Sequence, residues 1–146
     1  MSNQPVQTVT TSADKAKLAL ASLAVVAGVA GFYALAGSAH RYRDWKPEGH
    51  GSVDMQKAIT VSCDTFFYGL ALDLGIDKLT GFVRHFGFGK KTGVDLEGEI
   101  GGLLPTPEWK YKRWKQKWFP GETVIVGIGQ GYTLVTPMQL AQAVST

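Results

Sequence analysis

Only one cysteine, Cys63, occurs among the 146 residues. An intramolecular disulfide and a multi-cysteine metal cluster are thereby excluded. Strong charge bias is missing too, since 15 Lys and Arg against 12 Asp and Glu leave +3. That balance is too mild to point to nucleic acid by itself. No internal repeat is visible. Hydrophobic residues make up 45% and charged residues 18%, which argues against wholesale disorder. The length suits one ordinary domain, or a membrane anchor with a small domain. Glycine is abundant, at 18 residues, about 12% against a usual ~7%, so turns and loops should be frequent.

The apolar residues are concentrated near the start. Residues 18–36, LALASLAVVAGVAGFYALA, carry no charge. Nineteen residues at ~1.5 Å each reach ~28 Å, close to a ~30 Å hydrocarbon core. Core helices of that length normally keep a polar stripe, so the run reads as a transmembrane helix. It is longer than the ~7–15-residue apolar stretch of a cleaved signal peptide. Gly28 and Gly31, three apart, would permit close helix packing. Lys15 and Lys17 precede the run, while Arg41, Arg43 and Lys46 follow it. Charge therefore gives little guide to orientation.

Beyond Gly37-Ser38 the pattern is of helices and loops. Asp54 is placed to cap a helix through MQKAITV. A second helix is expected over residues 63–74, with Phe66, Phe67, Leu70 and Leu74 on one face and Gly75 as its stop. Residues 79–86 form a shorter helix ending near Gly87. Residues 89–107 read as a long loop. Val124-Ile125-Val126 reads as a short strand or extended piece. Thr136-Pro137-Met138-Gln139 combines a cap, a proline at the first helical position and a capping box. That helix start lies so near the end of the sequence that it reads as a truncated element.

Three short patterns compete for chemistry. Ser12-Ala13-Asp14-Lys15 spells S-x-x-K, Lys91-Thr92-Gly93 spells K-T-G, and Ser62-Cys63-Asp64 resembles S-x-N. Such chemistry needs a serine nucleophile one helical turn from a lysine base, a second serine to relay protons, and a lysine-bearing strand for the substrate carboxylate. Ser12 lies in a polar tail and Lys91 in a Gly-rich loop, so neither context fits. Ser62 opens a helix, where its hydroxyl can face a cleft; alternatively Ser62 or Asp64 merely caps that helix.

The stretches VSCDTFFYGLALDLGIDKL, GFGKKTGVDLEGEIGGLLPTPEWK and FPGETVIVGIGQGYTLVTPMQLAQA resemble the class B penicillin-binding protein 2 family, peptidoglycan D,D-transpeptidases of rod-shaped bacteria. The resemblance covers about residues 41–146. It implies an α/β fold, here a partial serine-β-lactamase/transpeptidase-like domain, mainly its helical and loop part, behind one N-terminal transmembrane helix. It implies that Ser62-Cys63-Asp64 is the second motif, with Ser62 relaying protons and Asp64 positioning that network. It makes Thr92-Gly93-Val94-Asp95-Leu96 the family's T-G-[IV]-D-L loop, so Lys91-Thr92-Gly93 is a decoy. The family's nucleophile motif would precede Ser62 by about fifty residues, and its K-T-G would follow the T-P-x-Q helix. Neither is present, so the chain alone should neither transpeptidate nor react with penicillin.

The resemblance also implies a metal site. Some members hold zinc with Asp, Asp, His and Cys beside the second motif, and Asp44, His50 and Cys63 resemble the last three ligands. Zinc prefers four ligands in a closed structural site, and the first Asp would fall in the upstream segment. A buried structural Cys63 and a loop His50 are the plain alternatives. No cofactor is otherwise required.

Residues 1–36 resemble instead the N-terminus of a SecE translocase subunit, with Gly37-Ser38 as a junction. The expected organisation is a polar tail over 1–17, a transmembrane helix over 18–36, a junction over 37–40 and a transpeptidase fragment over 41–146. Implied partners are the peptidoglycan stem peptide, β-lactams, the membrane and elongation-complex proteins such as a lipid-linked glycan polymerase. The implied location is the bacterial inner membrane with the C-terminal part periplasmic. A membrane-anchored, non-catalytic interaction module and a SecE-like translocon fusion are the alternatives. The basic, aromatic stretch EWKYKRWKQKWF, residues 108–119, could mimic a nucleic-acid or anionic-surface patch. It reads more simply as an exposed loop whose rings pack while its charges stay wet, so no nucleic-acid partner is expected. GIGQG lacks the strand–turn–helix context of a dinucleotide fingerprint.

Overall fold

A computed structural model of the chain describes residues 31–35 and 37–146. The expected polar tail, the Ser12–Lys15 pattern and most of the apolar run lie outside the described residues. The first described element is β1, Phe32–Ala34, paired antiparallel with β2, Arg41–Arg43, in the register Phe32 to Arg43, Tyr33 to Tyr42 and Ala34 to Arg41. The end of the run is therefore strand, not helix. No helix among the described residues is long and apolar enough to cross a membrane. Gly31 does not serve helix packing either. It takes a left-handed φ of 59°, and a Cβ there would collide with the Pro47 carbonyl.

Six helices follow among the described residues. They are α1 (Met55–Thr60), α2 (Asp64–Leu74), α3 (Ile76–Val83), α4 (Pro107–Trp114), α5 (Pro120–Gly127) and α6 (Pro137–Ser145). Asp54 caps α1 by accepting the Lys57 N–H at 2.8 Å. Gly75, at φ 76°, ends α2 and starts α3. A 3₁₀ turn, Arg84–Phe86, closes α3 at the left-handed Gly87. Thr136 and Gln139 form the capping box of α6, with bonds of 3.0 and 3.2 Å.

Three expectations are corrected here. Residues 107–114 are helix rather than loop, because Thr106 caps the Trp109 N–H at 3.1 Å and Pro107 takes the first turn. Val124-Ile125-Val126 is inside α5 rather than extended. Pro120 begins that helix, and the Glu122 carboxylate accepts the Phe119 N–H at 2.7 Å. The buried face of α2 is Thr65, Phe66, Tyr68, Gly69 and Ala71, whereas Leu74 is exposed.

That face is set by two packings. Val53, Ala58, Cys63 and Phe66 form a core to which Met55, Val61, Phe67 and Leu70 add. On its other side α2 packs against α5, so closely that a Cβ at Gly127 would collide with the Ala71 Cβ. Full burial of Phe66 alone is worth about 1.5–3 kcal/mol. The long loop after Gly87 is held from behind. Gln139 is fully buried, and its amide donates to the carbonyls of Lys90 and Gly101, both at 2.7 Å.

Candidate functional site

Asp64 stands at the first position of α2, and Cys63, at its cap position, makes no side-chain capping bond. Helix starts leave N–H groups without partners. Asp44 supplies the acceptor from 21 residues upstream. One of its oxygens accepts both the Thr65 N–H and the Thr65 hydroxyl, each at 3.1 Å. Its other oxygen accepts the Lys46 N–H at 3.2 Å. Asp44 is itself fixed by the residue that precedes β1, because its N–H donates to the Gly31 carbonyl at 2.8 Å. Trp45 adds a second clamp, its indole N–H lying 3.0 Å from the carbonyls of both Val61 and Ser62. Ser62 holds a left-handed φ of 52°, unusual for a serine. A strained backbone position over-determined by its neighbours is common at functional sites. Ser62 is exposed, Asp64 half-buried and Cys63 fully buried.

Asp44, His50 and Cys63 converge behind this turn. One ligand atom from each lies within 4.8 Å of the other two. His50 Nδ1 approaches an Asp44 oxygen at 3.4 Å, but without hydrogen-bond geometry. Both ring nitrogens of His50 are buried with no hydrogen-bond partner. Cys63 Sγ lies 3.3 Å from the Thr65 hydroxyl. A tetrahedral site with bonds of about 2.0–2.3 Å has edges of about 3.3–3.8 Å, so the trio closes on a metal after about 1 Å of contraction. Donor types, burial and the orphaned imidazole nitrogens all fit zinc.

The electrostatics follow from this crowding. Burial pushes the Asp44 carboxyl upward, yet the bonds from Thr65 and Lys46 and the His50 charge together outweigh it. Asp44 is thus held below the usual carboxylate range. Asp64 is pushed up, by burial first and the Asp44 charge second, with His50 opposing. Tyr68 is pushed up to about 12 by burial and by Asp64 and Asp44. Its hydroxyl donates to the Arg43 carbonyl at 3.1 Å. Such perturbed groups beside a strained turn mark a candidate site.

All five residues picked from the sequence thus lie in one neighbourhood. Trp45, Thr65 and Tyr68 were missed. The signal for Thr65 was the poor capping ability of Cys63, which demands an outside acceptor. No local pattern marks Trp45. Lys91-Thr92-Gly93 is not on a strand. Thr92 donates its N–H and hydroxyl to Glu99, at 2.7 and 2.5 Å, which folds the loop on itself. A cavity of about 610 Å³ opens elsewhere, lined by Tyr42, Phe119, Glu122, Ile125 and Tyr132 among others, and contains neither Ser62 nor Asp64.

Comparison with known proteins adds the lineage. A family profile described as the penicillin binding protein transpeptidase domain matches residues 1–146, including the first 36. A peptidoglycan D,D-transpeptidase MrdA of Acinetobacter baumannii is 56% identical over 113 residues, 77% of this chain and 17% of the relative. The crystal structure of Pseudomonas aeruginosa PBP2 in complex with WCK 5153 superposes with a TM-score of 0.76 at 46% identity, covering 84% of this chain and 30% of that one. The complex of PBP2 and MreC from Helicobacter pylori gives a TM-score of 0.71 at 45% identity, covering 76% of this chain and 21% of that one. The chain thus spans about a sixth of the length of the curated relative it matches.

Proposed function

The chain belongs to the penicillin-binding protein transpeptidase family, and from that premise we propose that it is part of a peptidoglycan D,D-transpeptidase. The reaction is acyl transfer. A serine supplied by the first motif attacks the D-Ala–D-Ala carbonyl of a stem peptide and releases D-Ala. The acyl group then passes to a neighbouring amine, and β-lactams acylate the same serine. Residues 41–146 contribute the second motif. Ser62 relays the proton between nucleophile and leaving group, and Asp64 orients that relay. The observation that carries this reading is the turn itself, exposed at Ser62 and clamped from behind by Asp44 and Trp45. A rigid relay serine is what proton transfer in a fixed geometry requires.

Zinc fits as a structural partner of the turn. Asp44, His50 and Cys63 would hold it, with one further ligand completing the shell. Bound there, the metal supplies rigidity and no step of the reaction. Cobalt is the test, since thiolate ligation by Cys63 gives an ultraviolet charge-transfer band that Cys63→Ser should abolish.

The substrate lies outside the cytoplasmic membrane, so residues 41–146 belong on the periplasmic side of a bacterial inner membrane. The Helicobacter pylori relative was solved with MreC, and an elongation-complex partner of that kind is proposed here. To test the enzymatic reading, residues 41–146 replace the homologous stretch of the Acinetobacter baumannii relative. The hybrid should be labelled covalently by fluorescent penicillin. A folded hybrid that stays unlabelled would defeat the reading.

A further inference from the structure

Residues 108–119 concentrate the charge of the molecule. Five bases against Glu108 give this segment +4, whereas the whole chain carries +3, so everything else sums to −1. Lys110 is buried and bonded to Glu122 at 2.5 Å. The other four, Lys112, Arg113, Lys115 and Lys117, are exposed, and none has a carboxylate within ion-pair distance among the described residues. Beside them Trp109, Trp114 and Tyr132 form a cluster, with ring centroids 5.0 to 5.4 Å apart. Trp114 is 43% exposed and Tyr132 36%. A cavity of about 440 Å³ opens here, lined by Thr106, Glu108, Trp109, Lys112 and Arg113. That is within the ~300–1,000 Å³ of small-ligand sites.

We propose that this face of α4 binds an acidic glycan, a saccharide chain bearing carboxylates. The proposal rests on the transpeptidase reading and deepens it, because uncross-linked peptidoglycan is such a polymer. Flat indole and phenol faces accept the apolar C–H face of a sugar ring. Lys112 and Arg113 at the cavity rim take the carboxylates, Arg113 in bidentate fashion. Glu108 favours a saccharide over a phospholipid surface. Its carboxylate, held below the usual carboxylate range by its own backbone N–H, the Thr106 hydroxyl and the charges of Lys112 and Arg84, accepts sugar hydroxyls and tolerates carboxylates spaced along a strand, whereas a surface with a phosphate on every headgroup sets several anions against it.

The test is binding of the full 146-residue chain to soluble glycan strands whose stem peptides end before the D-alanyl-D-alanine. Such strands are no acyl donors, so the result is independent of whether the transpeptidase reading stands. Lys112→Gln with Arg113→Gln should weaken binding about tenfold, since each exposed charge pair contributes up to about 1 kcal/mol. Trp114→Ala should weaken it about threefold or more; if it alters the far-ultraviolet circular dichroism, the charge pair alone decides. Polyglutamate should bind at least tenfold more weakly than the strands. Equal binding by the charge variant would overturn the proposal. So would polyglutamate matching the strands, or phosphatidylglycerol vesicles binding where the strands do not.

Discussion

Replacing Gln139 by leucine should cost the fold about 3 kcal/mol. The residue is fully buried and serves three backbone groups. It donates to the Lys90 and Gly101 carbonyls at 2.7 Å and accepts the Thr136 N–H at 3.0 Å. Leucine fills most of the volume but serves none of them. Each buried group left without a partner costs about 1–3 kcal/mol. Lys90 is exposed, so its carbonyl can recruit water. Two groups then carry the loss, at about 1.5–2 kcal/mol each, with a small apolar gain set against them. In urea, at a slope of about 1.5 kcal/mol per molar, the midpoint should fall by about 2 M. Gln139→Glu sharpens the test. At neutral pH its carboxylate would face two carbonyl oxygens and destabilise more than leucine does. At pH 4 protonation restores one donor, so the deficit should shrink. A midpoint shift under 0.5 M for leucine (about a quarter of that expected from the slope above), or glutamate milder than leucine at pH 7, would refute the reasoning.

Further predictions concern packing, charge and pH. Gly127→Ala should cost about 1–3 kcal/mol by thermal melting, because its Cβ would collide with the Ala71 Cβ, and Ala71→Gly should restore most of that. Lys110→Met leaves the Glu122 carboxylate with only the Phe119 N–H and should cost about 1.5–3 kcal/mol, whereas Lys110→Met with Glu122→Gln should be milder. The Thr92 hydroxyl, followed by the N–H groups of Thr92 and Gly93, holds Glu99 below the usual carboxylate range. Its contribution is therefore present above the unfolded-state value and lost as pH falls through the lower folded one. Hydrogen exchange at Thr92 and Gly93 should accelerate across that acid window, and Glu99→Gln should remove the pH dependence.

Legibility followed the range of the interaction. The Asp54 cap and the Thr136–Gln139 box are decided within four residues, and both can be read directly. The start of α5 carried a comparable signal in Pro120 and Glu122. The run of β-branched residues after it points to strand, and packing of α5 on α2 overrides that preference. The apolar residues 32–34 look helical by composition, yet they pair with Arg41–Arg43, a partner no local window shows. Within the candidate site, the convergence of Asp44, His50 and Cys63 beside the Ser62 turn was expected from family resemblance, and the three do meet there. The clamping by Trp45 and Thr65 was not, because it joins segments 16 to 21 residues apart.

The most direct measurement is the acylation rate of the hybrid enzyme by fluorescent penicillin, with and without Ser62→Ala. A proton relay through Ser62 predicts a fall of about 10²-fold or more at an unchanged melting temperature. A rate within about threefold of the parent, too small a change for loss of a proton-transfer group, would contradict it and leave the turn a purely structural cap.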